Sequence, residues 1–112
     1  MKTTSEYIGE FEELVLLAIL KLGSDAYGAA IIAALEDAGR STSIGALYTT
    51  LSRLEEKGLV SSRLADPTSQ RGGRAKKYFK IQASGERALH EASQARRKLS
   101  ANPGFAFGGG HD

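Results

Sequence analysis

Four cations crowd the stretch Gln70-Arg71-Gly72-Gly73-Arg74-Ala75-Lys76-Lys77, placed around two glycines with no acid among them. Arg71, Arg74, Lys76 and Lys77 reach outward on long flexible stems, and Gly72 and Gly73 let backbone press close to a partner. The segment therefore suits a sugar–phosphate backbone or a minor-groove edge. A solubilising turn or a linker would share this composition, so a second candidate bears on the choice. Between Ile44 and Lys57, the residues Ile44, Leu47, Leu51 and Leu54 recur at spacings of three, four and three, which predicts a helix with one inward apolar stripe. Gly45, Ala46, Thr49, Ser52, Arg53 and Glu56 then point away, with Tyr48 and Thr50 on the flanks. Gly45 and Ala46 permit close approach, Ser43 and Thr49 offer hydroxyls to phosphates or base edges, and Arg53 can bond a phosphate or a guanine. Alone, these residues would serve equally as a solvated helix face. Tyr48 would equally cover the core edge or offer its hydroxyl to a phosphate.

The charge distribution favours the polyanion reading. The net charge of +2 conceals an acidic first segment, residues 1–40, with three basic and seven acidic side chains. Residues 41–80 carry eight basic and three acidic side chains, so the positive field concentrates where both candidate contact segments lie. Other chemistries have little to work with. Cysteine is absent, and the histidines are His90 and His111, the latter in a Gly-rich tail, so neither a metal site nor a cofactor is expected and an enzyme is disfavoured. His90 reads as a surface residue. The longest apolar run, Leu14 to Leu20, is far shorter than the roughly twenty residues of a spanning helix. With no secretory signal between Met1 and Tyr7 either, the expectation is a cytoplasmic protein without a membrane partner.

The elements that must position these residues follow from spacing and punctuation. A first helix is expected from Glu6 to about Leu22, ended by Gly23, with Phe11, Leu14, Val15, Ala18 and Leu22 at helical spacing. Its other faces add Leu16, Leu17, Ile19 and Leu20, more apolar surface than one side of a small domain needs, which points to a second subunit. A second helix, capped by Ser24 or Asp25, carries Tyr27, Ile31, Ile32 and Leu35 on one face and closes at Gly39. Ser43 is expected to cap the third. Leu59 to Leu64 and Ala75 to Ile81 read as strands of a hairpin whose connection holds Pro67, Ser69, Gly72 and Gly73, with Tyr78 and Phe79 as strand packing. A last helix spans about Ser84 to Leu99, with Ala88, Leu89, Ala92 and Leu99 as a thin apolar face. Asn102 and Pro103 stop it, and a Gly-rich tail expected to be disordered follows.

The expected fold is mainly α with a two-stranded β-hairpin: a winged helix-turn-helix over residues 6–82, a C-terminal dimerisation helix over 83–100 and a tail over 101–112. The stretches Tyr27-Gly28, Ser43-Ile44-Gly45-Ala46-Leu47-Tyr48, Arg53-Leu54-Glu55 and Gly58-Leu59-Val60 resemble the PadR family of transcriptional regulators. Arg71-Gly72-Gly73-Arg74-Ala75-Lys76-Lys77-Tyr78-Phe79 and Ala83-Ser84-Gly85 extend that similarity over about residues 9 to 90. The resemblance implies a homodimer built from the first and last helices, repression through a palindromic operator in double-stranded DNA, and release by a small hydrophobic effector. With a single short helix after the hairpin, the chain resembles the short branch of the family. The dimer seam is expected to include Phe11, Leu14, Leu17, Leu89, Ala92 and Leu99. The alternative is a winged-helix interaction module that sets its basic hairpin against an acidic protein.

Overall fold

The structure, a computed structural model, describes residues 7–65 and 76–101. Helix α1 (Glu10–Leu22) follows the extended Gly9, whose amide donates to Glu12 Oε1 at 2.9 Å. Glu10, Glu12 and Glu13 in its first turn and Lys21 in its last complement the helix dipole. A single 3₁₀ turn, Gly23–Asp25, comes next, and helix α2 (Gly28–Asp37) starts only after Tyr27. Neither Ser24 nor Asp25 therefore caps α2, contrary to the sequence expectation. The cause lies in the hairpin: Phe79 N–H donates to the Ala26 carbonyl at 2.8 Å and Tyr27, in extended conformation, bridges Tyr78.

Helix α3 (Ile44–Glu56) begins as expected at Ser43, whose Oγ accepts from Ala46 N–H at 3.0 Å. Such a cap contributes about 1 kcal/mol to the helix it opens. Beyond it, strand β1 (Val60–Leu64) pairs antiparallel with β2 (Lys77–Ile81), Val60 opposite Ile81 and Arg63 opposite Tyr78. Helix α4 (Ala83–Ser100) closes the order.

The core gathers one face from each helix: Val15, Leu16 and Ile19 of α1, Ile31 and Leu35 of α2, Leu47, Leu51 and Leu54 of α3, with Phe79 from the hairpin. Each such side chain contributes on the order of 1.5 to 3 kcal/mol through burial. Two residues of α3 depart from the expected stripe. Ile44 is exposed and Thr50 is buried, so the inward face is Leu47, Thr50, Leu51 and Leu54, turned by part of a residue step. Lys57, just past the last turn of α3, is tied to the first turn of α1, whereas at the opposite end of α3 residues 43–46 are all exposed, Ile44 among them. The start of α4 belongs to the same core, since Ala88 and Leu89 are buried. Its docking is tight: Ser84 Oγ donates to the Gly58 carbonyl at 2.7 Å, and a side chain at Gly85 would strike the carbonyl oxygen of Leu59. Further along, α4 loses contact with the core. Ala92 is half-buried, and Leu99, expected on the apolar face, is 84% exposed.

Candidate nucleic-acid interface

With the core face of α3 fixed, Gly45, Ala46, Thr49, Ser52 and Arg53 all stand exposed on its other side. Gly45 and Ala46 lie in the first turn, where open amides and the positive end of the dipole also face out. Ser43 spends one lone pair on the Ala46 amide and keeps its hydroxyl proton for a partner. Arg53 makes no ion pair among the described residues and is free to meet an anion.

Tyr48 sits at the edge of this face. Its ring tilts against Phe79 with centroids 6.4 Å apart, and its hydroxyl end lies over Gly28, where a Cβ would collide with the phenol. Gly28 is therefore required by a close approach between α2 and α3. Periodicity along the chain did not reveal this reason for a glycine after Tyr27. Tyr48 thus covers the core edge while staying partly open to solvent.

The base of the hairpin carries a stack in which cations bracket two aromatic rings. Tyr27 and Tyr78 meet edge to face at 5.4 Å, Lys76 Nζ lies 4.2 Å from the Tyr27 ring centre, and the Arg63 guanidinium lies 4.9 Å from that of Tyr78. Lys77 opens β2, exposed, with Nζ 5.9 Å from the Phe79 ring centre. These contacts orient the stems and leave the positive charge unneutralised by any acid among the described residues. Arg63 belongs to this cationic base, although sequence reasoning passed over it. The signal available was its position across the hairpin from Tyr78. Arg71, Gly72, Gly73 and Arg74, the expected tip, lie outside the described residues, as do the expected tail residues from 102 onward.

Lys57 serves a different purpose. Its ammonium bonds both oxygens of the buried Glu12 carboxylate at 3.1 Å, so this cation is committed to joining α3 to α1. Two more acids of the same turn are paired: Glu10 with Arg40 at 2.6 Å, and Glu13 with Arg96 at 2.7 Å. The hydrogen bond and charge of Arg40 hold the Glu10 carboxyl below the usual range, and Glu13 raises the Arg96 guanidinium.

Of the expected seam residues, Phe11 and Leu14 are half-buried, Leu17 is 45% exposed, and Leu89 already lies within the protomer core. Among the described residues no helix is long and apolar enough to cross a membrane, and no cluster of three or more His, Asp or Glu could hold a metal.

Three packed helices with a hairpin beside the third define a winged helix-turn-helix protein. Residues 16–91 match the transcriptional regulator PadR-like family, and the chain belongs to that family. A PadR-like transcription factor from Bacteroides fragilis is 29% identical with a TM-score of 0.70, the match covering 80% of this chain and 82% of that one. A PadR family transcriptional regulator from Eggerthella lenta DSM 2243 is 30% identical with a TM-score of 0.65, over 80% and 79% of the two chains. Bacillus subtilis PadR, solved in complex with operator DNA, shares the fold at 21% identity and a TM-score of 0.64, over 74% of this chain and 46% of that one. No curated protein matches the chain. The family and these neighbours are transcription regulators, not enzymes.

Proposed function

We propose that the chain is a cytoplasmic, homodimeric repressor that binds a palindromic operator in double-stranded DNA. Helix α3 reads the major groove through Ser43, Gly45, Ala46, Tyr48, Thr49 and Arg53. Each hairpin holds flanking backbone through Arg71, Gly72, Gly73, Arg74, Lys76 and Lys77. The observation that carries this reading is the free face of α3, where small side chains, a hydroxyl and an uncommitted arginine stand together beside a cationic hairpin base.

Dimerisation through α1 and α4 is supported by the apolar surface left open on one protomer: Leu17 and Leu20 of α1 and Leu99 of α4. Residues 6–82 then form the DNA-binding unit, and the far half of the 83–100 helix serves the partner. Release by a small hydrophobic effector is supported by a recess of about 510 Å³ between the end of α1 and the hairpin, where Ile19, Leu20 and Ile81 meet Ser24 and Arg63.

Gel shift on the DNA upstream of the chain's own gene, against random duplex of equal length, tests the reading. Operator preference is expected, with log affinity falling against log salt at a slope near −5 if about six hairpin cations per dimer neutralise phosphates. Thr49→Ala or Arg53→Ala is expected to change the preference among operators by about tenfold while leaving that slope within about one unit. A salt-insensitive complex would overturn the hairpin's role, and binding without operator preference would instead mark a module that binds an acidic protein.

A further inference from the structure

Ile44 is a large apolar side chain that the packing of α3 leaves without a use. It occupies the first position of the helix, directly after the Ser43 cap, and is 56% exposed. The other exposed large apolar residues among those described have different addresses: Tyr7 before α1, Leu17 and Leu20 on α1, Leu64 at the end of β1, Leu99 far along α4, and Tyr48 against Phe79 and Gly28. Ile44 alone among them protrudes at the N-terminal end of α3, the end that a helix-turn-helix directs at base edges. The two residues that follow it are small. A Cβ at Gly45 would stand in open space, and Ala46 is exposed, so Ile44 is the tallest apolar point of that turn.

Polar contacts are the usual currency of the major groove, but each A·T pair also presents one apolar group there, the C5-methyl of thymine. A β-branched side chain suits that target, because its restricted χ1 holds the methyl groups in a fixed direction and little rotamer freedom is lost on contact. The fixed Ser43 cap sets the backbone from which Ile44 projects. We propose that Ile44 is a specificity-determining residue that packs against the C5-methyl of a thymine in the operator. This rests on α3 entering the major groove as argued above.

The test selects operators from a random duplex library with the full chain, then resynthesises them with deoxyuridine replacing each thymine in turn. That exchange removes the methyl and keeps every hydrogen-bonding group. The unsubstituted protein should lose about fourfold in affinity at one thymine of each contacted site, the effect of uncovering one methyl-sized group. I44A should lose nothing further there, I44V should keep most of the dependence, and both should melt like the parent chain. Equal deoxyuridine penalties for the parent chain and I44A at every thymine would overturn the methyl contact while leaving DNA recognition intact. Failure to select any sequence would overturn the groove reading together with this inference.

Discussion

The first turn of α1 and the surface formed by α3 with the hairpin use charge in opposite ways. At the first, Glu10, Glu12 and Glu13 each meet a cation from a different part of the chain: Arg40 before α3, Lys57 after it and Arg96 on α4. At the second, Arg53, Arg63, Lys76 and Lys77 meet no acid among the described residues, and three of them lean on aromatic rings. The contrast separates cations that hold the fold together from cations left without an acidic partner among the described residues. It also explains why net charge is a poor guide here, because the neutralised and free charges lie on different surfaces.

The largest effect that would sharpen this contrast comes from the free cations. Lys76→Ala combined with Lys77→Ala removes four charges per proposed dimer, so the salt slope of DNA binding should fall from about −5 to about −2 on operator and random duplex alike. Urea unfolding should move little. A variant that loses stability but keeps its slope would break the division.

The reverse is expected of Lys57→Ala. Glu12, 8% exposed, would keep the Gly9 amide but lose its counter-charge, at a cost of about 1–3 kcal/mol in urea unfolding. The salt slope of DNA binding should not change. A reduced slope with normal stability would place Lys57 among the phosphate contacts instead.

The smallest effect belongs to Glu10. Its carboxyl is held below the usual range by Arg40, so the pair contributes stability above that range and loses it as the pH falls through the lowered value. Because both side chains are exposed, the contribution is small and screened by salt. Arg40→Ala should therefore flatten the acid limb of the stability–pH curve slightly, most visibly at low ionic strength. A steeper acid limb in the variant would contradict the pairing.

Much of this arrangement is legible along the chain, because local chemistry decides it. Ser43 is a cap that bonds only three residues onward, Gly23 and Gly58 end helices through their own positive φ, and the hairpin strands follow from short runs bounded by turn formers. The exposed face of α3 was likewise readable for Gly45, Ala46, Thr49 and Arg53, since helical periodicity separates them from Leu47, Leu51 and Leu54. Ile44 and Thr50 escaped that reading. Periodicity states which residues share a face but not how far neighbouring helices extend along it, so an isoleucine past the end of the packing emerged and a threonine nearer its centre went in.

What the sequence determined by itself is the order of elements, the cap of α3 and the gathering of positive charge between residues 41 and 80, all matters of adjacent residues and short spacings. What only the tertiary structure decided is the employment of each residue. Lys57 is spent on Glu12 forty-five positions away, Gly28 is small because Tyr48 lies across it, and Tyr27 is extended because β2 binds the backbone beside it. The physical reason is common to all three: ion pairing, close packing and backbone hydrogen bonding act over a few ångströms of space, whatever the distance along the chain.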